Sequence, residues 1–111
     1  MAQLSLETST VGAAVVIAVR GELDLAGAAV LEAELERLEA DAPAAVVVDL
    51  RGLAFIDSSG LRAIAIAAQR AQGRNRRFAL VPGAAQVMRV FELTRMDERL
   101  EFVDGPDEVN G

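Results

Sequence analysis

Several residue types on which protein chemistry commonly depends are absent from this chain. It has no cysteine, no histidine and no tyrosine, and its 11 basic residues are all arginine, so lysine is absent too. The lack of cysteine excludes disulfides and thiol chemistry and is typical of a reducing cytoplasm. Without histidine or lysine the chain cannot form a Ser-His pair, a Schiff base or a lysine-containing phosphate loop. We therefore expect a protein that is not an enzyme, that needs no metal or cofactor, and whose important serines are modified rather than catalytic.

The balance of charge and the lack of long apolar runs narrow the set of partners. The net charge is −6, whereas nucleic acids and anionic membranes are bound by basic surfaces. No apolar run approaches the ~20 residues that span a bilayer, and the first residues do not have the pattern of a signal peptide. We expect a cytoplasmic protein that is a monomer when free. Residues 1–104 are predicted to form a single domain and residues 105–111 a short C-terminal tail.

The pattern of apolar residues predicts an alternation of strands and helices. Strands are predicted at residues 3–8, 13–20, 44–50, 78–81 and 100–103, and helices at residues 26–39, 59–72 and 84–93. A turn at residues 9–12 favours an antiparallel first pair of strands, and residues 21–24 are expected to end the second strand. The order β-β-α-β-α-β-α-β predicts an α/β fold, with a mixed, mostly parallel sheet of four to five strands and helices packed on one face.

Two finer expectations concern burial and the end of the chain. The buried faces of the first and third helices are predicted to carry Val30, Leu31, Leu35, Leu38, Val87, Val90 and Phe91. The residues from Asp104 onward are interpreted either as a weak helical start or as a frayed tail.

The segment Asp57-Ser58-Ser59-Gly60 lies where a buried strand passes into a helix. Asp and Ser are preferred N-cap residues, so the simplest interpretation is structural. Nucleophilic catalysis is disfavoured because no base is available to activate the hydroxyl. The remaining hypothesis is that Ser58 accepts a phosphoryl group. The free N–H groups at the start of the helix would favour that charge and the carboxylates of Asp57 and Asp24 would oppose it, so we expect phosphorylation to control association rather than folding.

Two other groups of residues have both a structural and a functional interpretation. The segment Gly21-Glu22-Leu23-Asp24 is either a strand-ending turn with a carboxylate at the start of the next helix or part of an acidic rim, because Asp24 is expected at the same end of the sheet as Asp57. A group of arginines follows the second helix and is either a solvated turn or a contact with a partner. It consists of Arg70, Arg74, Arg76 and Arg77.

The segment from Phe55 to Leu61, preceded by Gly21-Glu22-Leu23-Asp24, resembles the STAS domain, and more narrowly the bacterial anti-sigma factor antagonists. The resemblance extends from the first strand to about Val103 and includes Leu93-Thr94-Arg95-Met96-Asp97. It implies a partner-switching protein that binds an anti-sigma factor when unmodified and thereby releases a sigma factor. The anti-sigma factor would be a serine kinase of the GHKL type that phosphorylates Ser58, and a metal-dependent serine phosphatase would restore binding.

The resemblance also implies which residues contact the partner. They are Asp24, Asp57, Ser58, Ser59, Gly60 and Leu61. The family often carries Thr or Ser where it caps the first helix, and at that place this chain offers only Gly27, a weaker cap. The last helix of the family is also longer than residues 107–109 provide.

Two alternatives remain, and the second is from another class. The chain could be a STAS module of another complex, such as a transport ATPase or a sensory assembly, in which Ser58 serves packing alone. It could also be a small nucleotide-binding protein that uses the strand-end crevice, although no glycine-rich phosphate loop supports this.

Overall fold

The computed structural model describes residues 3–109. Five strands and three α-helices follow one another in the predicted order. The strands are β1 (Ser5–Val11), β2 (Ala14–Leu23), β3 (Ala45–Ile56), β4 (Arg77–Val81) and β5 (Glu101–Phe102), and the helices are α1 (Leu25–Glu39), α2 (Ser58–Gly73) and α3 (Ala85–Leu93). Short 3₁₀ helices lie at Met96–Glu98 and Pro106–Val109. No helix within residues 3–109 has the length and hydropathy needed to cross a membrane.

The strands form one sheet in the order β1-β2-β3-β4-β5. β1 and β2 are antiparallel, as the short turn between them requires, while the pairs β2–β3, β3–β4 and β4–β5 are parallel. The α-helices connect parallel strands, so all parallel strands end at the same edge. The predicted fold, a mixed and mostly parallel sheet, is confirmed.

The larger hydrophobic core lies between the sheet and the three α-helices. Side chains from α1, α2 and α3 pack together with alternate residues of β2, β3 and β4, among them Leu35, Ile64, Phe91, Ile17 and Val48. A smaller cluster lies on the opposite face of the sheet, where the 3₁₀ helix Pro106–Val109 places the buried side chain of Val109 against it. The α-helices therefore pack on one face, as predicted. Of the two interpretations of the residues after Asp104, the structure shows a short helix for residues 106–109, and residues 110–111 lie outside the described residues.

The main correction concerns the length of β2 and β3. Residues 21–24 were expected to end β2, and β3 was expected to end at Leu50, but the two strands continue as partners to Leu23 and Ile56. The continuation contains irregular register around Gly21, whose φ of 97° is accessible to glycine with little strain. Because polar residues interrupt the apolar pattern at this irregularity, it looks like a loop in the sequence. The first turn also lies later than predicted, at residues 12–13.

One residue was assigned to the wrong face of its helix. Val30 is exposed, whereas the buried face of α1 consists of Gly27, Ala28, Leu31, Leu35 and Leu38. The small residues Gly27 and Ala28 begin this face, and a search for large apolar side chains overlooks them. In α3, Val87 and Phe91 are buried and Val90 is partly buried against the core, as predicted.

Candidate functional site

Two strand-to-helix junctions lie side by side at one edge of the sheet. Leu23 and Ile56 end the neighbouring strands β2 and β3 and are partners in register. Each is followed by an aspartate that begins a helix, Asp24 before α1 and Asp57 before α2. The backbone N–H of Asp57 donates a hydrogen bond to the carbonyl oxygen of Leu23 (3.2 Å), so the two junctions are directly connected. The structure thus brings together the two motifs that are more than 30 residues apart in the chain.

Asp57 is the N-cap of α2. Its Oδ1 accepts hydrogen bonds from the backbone N–H groups of Ser59 (2.9 Å) and Gly60 (3.1 Å). These bonds satisfy two of the donors that a helix start leaves unpaired. The expectation that a phosphate on Ser58 would meet free N–H groups therefore needs correction, because a carboxylate already occupies two of them. The helix start offers less compensation for added negative charge than the sequence suggested.

The two serines of the motif differ in exposure. Ser58 is the first residue of α2 and is exposed, whereas Ser59 is partly buried. Leu61 is only 7% exposed and belongs to the larger core, and Gly60 is buried as well. Ser58 is therefore the serine of the pair that an enzyme reaches most readily. Of the six residues that the resemblance implies as partner contacts, Gly60 and Leu61 have packing roles in the structure.

Gly60 is required by the contact between the two junctions. A β-carbon built on Gly60 would lie 2.6 Å from the carbonyl oxygen of Leu23 and 2.5 Å from its Cγ. A β-carbon does not approach non-bonded atoms this closely in real proteins, so only glycine allows α2 to begin here without displacing β2. The glycine of the Asp-Ser-Ser-Gly motif and the leucine of the Gly-Glu-Leu-Asp motif thus form one packing unit.

Asp24 caps α1 in the same way. Its Oδ1 accepts a hydrogen bond from the backbone N–H of Gly27 (2.9 Å). The expectation that Gly27 would be the cap was wrong, because Gly27 is the donor, whereas the interpretation of Asp24 as a carboxylate at the helix start is confirmed. The signal for this was present in the sequence, because an aspartate precedes a glycine by three residues at both junctions, Asp24 with Gly27 and Asp57 with Gly60.

Two exposed apolar side chains near the junctions were not singled out in the sequence. Leu25, the first residue of α1, is 74% exposed, and Phe55, the register partner of Glu22 near the end of β3, is 47% exposed. An isolated exposed leucine is ordinary in a soluble protein. Here, however, both residues border the edge that carries Ser58, and they give that edge apolar area that a partner could bury.

The predicted arginine cluster mostly pairs with carboxylates of the domain itself. Arg70 makes two hydrogen bonds to the carboxylate of Glu39 (2.8 and 2.9 Å), and these raise the pKa of Arg70. Arg76 donates to the carbonyl oxygen of Glu39 (3.1 Å), and Arg77 pairs with Glu101. These contacts join α1, α2 and the outer strands, so the cluster has a structural role within the domain.

A further ion pair lies within β3, on the opposite face of the sheet from the α-helices. Arg51 donates two hydrogen bonds to the carboxylate of Asp49, at 2.8 and 3.0 Å. Burial alone would raise the pKa of Asp49, but the hydrogen bonds from the side chain and backbone of Arg51 outweigh it, so the pKa is lowered. Asp49 therefore remains ionised and paired at neutral pH, inside the strand that leads to Ser58.

Comparison with known proteins identifies the family of this chain. A model of the family described as "Mlab, STAS domain" matches residues 6–104. The chain belongs to the STAS domain family. RsfB of Mycobacterium tuberculosis, named an anti-sigma-F factor antagonist, is 32% identical to it over 83 residues, which are 75% of this chain and 67% of RsfB.

Solved structures of similar shape carry related names. The crystal structure of an anti-sigma factor antagonist from Mycobacterium paratuberculosis has a TM-score of 0.87 to this STAS domain at 26% identity, covering 96% of this chain and 90% of that one. The Bacillus protein SpoIIAA in its phosphorylated form has a TM-score of 0.71 at 19% identity, covering 96% of both chains, and this second likeness shows the shared fold alone.

Proposed function

We propose that this STAS domain is an anti-sigma factor antagonist that binds an anti-sigma factor and is released when Ser58 is phosphorylated. The contact would be made by the edge of the sheet where Asp24 and Asp57 begin α1 and α2, called here the Ser58 edge. The observation that carries the proposal is the exposure of Ser58 at the first position of a capped helix, beside a second capped helix start. The similarity to RsfB, whose name gives the same role, supports the choice of partner class. The protein itself would perform no catalysis.

The surroundings of Ser58 suit a contact that added charge can disrupt. The exposed side chains of Leu25 and Phe55 provide apolar area at this edge, and Asp24 and Asp57 provide carboxylates. A phosphoryl group carries a charge of about −1.5 to −2 at pH 7, and burying it without a matching cation in a partner costs several kcal/mol. Since each ~1.4 kcal/mol changes a binding constant tenfold, this cost is enough to abolish a micromolar complex.

The fold is expected to tolerate the same modification. Ser58 is exposed, and the hydrogen bonds that begin α2 are made by Asp57 rather than by the serine hydroxyl. Water and salt screen the repulsion between an exposed phosphate and Asp57. Phosphorylation would therefore change what the domain binds while its core stays intact.

Two enzymes complete the proposed cycle in the cytoplasm. The anti-sigma factor itself would be the GHKL-type serine kinase that phosphorylates Ser58, and a metal-dependent serine phosphatase would remove the phosphate. Neither step requires a catalytic group from this chain.

Incubation with ATP and the cognate anti-sigma factor tests the proposal. Mass spectrometry should locate one phosphate on Ser58 in the native protein and in the matched control Ser59→Ala, and none in Ser58→Ala. In binding measurements, Ser58→Ala should retain the affinity of the native protein and lose its sensitivity to ATP. We expect Ser58→Asp to bind at least about tenfold more weakly, because it places a charge at the contact.

The alternatives make different predictions for the same experiment. A STAS module of another complex would carry no phosphate on Ser58 and would bind the anti-sigma factor no better than an unrelated protein. Equal binding by Ser58→Ala and Ser58→Asp would also contradict the proposal. A nucleotide-binding protein would show saturable nucleotide binding in calorimetry, although its phosphates would compete with Asp57 for the amides of α2.

A further inference from the structure

Arg62 lies one helical turn after Ser58 on α2. Residues four apart on an α-helix are neighbours on its surface, with about 5–6 Å between their β-carbons. Helical side chains also lean toward the N-terminus, so a long side chain covers the turn before it. The guanidinium of Arg62 can therefore reach an oxygen attached to the side chain of Ser58.

Arg62 is exposed and has no ion-pair partner within residues 3–109. Seven arginines in that range lie within 4.0 Å of a carboxylate, and Arg62 is not among them. The chain has an excess of carboxylates, with a net charge of −6, yet none of those in residues 3–109 forms an ion pair with Arg62. Within that range, Arg62 therefore has no ion-pairing role in the unmodified domain.

The charges around Ser58 make a cation useful once the serine is phosphorylated. Asp57 from the β3–α2 junction and Asp24 and Glu22 from the β2–α1 junction are carboxylates near Ser58, and Asp104 follows the parallel strand β5 at the same edge of the sheet. Two backbone N–H groups that could have held a phosphate are already bound to Asp57. A side chain can supply compensation that these two groups no longer provide, and a guanidinium makes paired hydrogen bonds to phosphate oxygens.

We propose that Arg62 binds the phosphoryl group on Ser58, so that the modified site is a phosphoserine–arginine pair within one turn of α2. The inference rests on the proposed function, because it assigns a partner to the same phosphate. The pair would offset the repulsion from Asp57 and hold the phosphate on the outer face of the helix.

Phosphoserine installed at position 58 during translation tests this without the kinase. Phosphorus NMR titration should show that Arg62 favours the dianionic form of the phosphate, whose second pKa is normally about 6. We expect Arg62→Gln to raise that pKa by about 0.3 to 0.5 relative to the native arginine. The matched control is Arg89→Gln, which removes an exposed arginine on α3 that also has no ion-pair partner in residues 3–109, and it should change the pKa by less than about 0.1.

Unfolding in urea provides a second readout. In the phosphorylated protein, Arg62→Gln should raise the unfolding equilibrium constant about two- to fivefold more than in the unmodified protein. Arg62→Lys should restore part of the difference, because it keeps the charge but not the paired hydrogen bonds. Equal pKa values in the native and Arg62→Gln proteins, or equal effects of Arg62→Gln with and without phosphate, would overturn the inference.

The two proposals fail in different ways. The phosphate is installed during translation and not by the kinase. If Arg62→Gln changed neither the phosphate pKa nor the effect of phosphate on unfolding, the role of Arg62 would be excluded, and the kinase experiment would be unaffected. Conversely, a native protein that the anti-sigma factor never phosphorylates would overturn the proposed function, whatever the NMR titration shows.

Discussion

The two strand-to-helix junctions at the Ser58 edge have the same construction and different first helical residues. At one junction Asp24 caps α1 and bonds to the N–H of Gly27, and at the other Asp57 caps α2 and bonds to the N–H of Gly60. Both glycines lie against backbone carbonyl oxygens at the end of β2. The residue after the cap is Leu25 in the first case and Ser58 in the second, and both are exposed.

At both junctions the residues that the fold needs differ from the residue that the proposed function needs. The aspartate and the glycine are held by hydrogen bonds and close contacts, so their identities are set by local geometry. The first helical position faces solvent at both junctions, and the geometry there accepts a leucine as readily as a serine. The position is therefore available to carry a residue chosen for binding or modification.

The largest expected difference between the junctions comes from their glycines. A β-carbon on Gly60 would meet the Leu23 carbonyl oxygen at 2.6 Å and its Cγ at 2.5 Å, whereas a β-carbon on Gly27 would meet the Glu22 carbonyl oxygen at 2.8 Å. We expect Gly60→Ala to lower the free energy of unfolding by about 2–3 kcal/mol, as overpacking does. Gly27→Ala should cost about 1 kcal/mol or less, because the helix propensity of alanine offsets a milder clash.

Urea unfolding monitored by circular dichroism measures both values. Gly73→Ala is the control, because nothing lies within 4 Å of a β-carbon at that helical position, and it should not destabilise the protein. If Gly60→Ala proved as stable as the native protein, the close approach of α2 to β2 would not limit the residue at position 60.

Replacing the two capping aspartates should lower the free energy of unfolding by amounts that differ less than those for the two glycines. Asp57 accepts two backbone hydrogen bonds and Asp24 accepts one. Loss of an N-cap costs about 0.5–2 kcal/mol, so we expect Asp57→Ala near the upper end of that range and Asp24→Ala near the lower end. Thermal or urea unfolding gives the order directly, and Asp57→Asn and Asp24→Asn, which retain an acceptor oxygen, should recover most of the loss. The reverse order would mean that the number of bonds does not set the strength of these caps.

The smallest effect on stability should come from exchanging the first helical residue. Leu25→Ser makes the first junction resemble the second, and we expect the free energy of unfolding to change by less than about 0.5 kcal/mol, because Leu25 is exposed. If the proposed contact buries Leu25, the same change should weaken binding to the anti-sigma factor about tenfold through the loss of apolar area. The exposed Leu93 lies at the far end of α3, away from these junctions, and Leu93→Ser is the control that should leave binding unchanged.

Much of the fold could be predicted from the sequence because its signals are local. The three valines of β3 indicate a strand that is buried on both faces, and the spacing of Leu31, Leu35 and Leu38 indicates one face of a helix. The order of the elements then leaves few possible topologies. The extension of β3 to Ile56 could not be predicted, because the residues after Leu50 are paired only through the irregular register with β2.

The candidate site was predictable in its location and less so in its contacts. Asp57 and Ser58 follow a buried strand, which places them at the edge where ligands and partners commonly act. The contact of Gly60 with Leu23 joins residues far apart in sequence and is visible only in three dimensions. The exposure of Leu25 was hidden as well, because an apolar residue in a helix is normally assigned to the core.

The hydroxyl of Ser58 and the carboxylate that secures its helix belong to different residues, and this has a consequence for timing. In the proposed cycle, phosphorylation and dephosphorylation of Ser58 would both take place on the folded domain, which would not have to unfold. The response time of the circuit would then depend on kinase turnover, phosphatase turnover and dissociation of the complex. A regulator of this construction can be reset many times without passing through an aggregation-prone state.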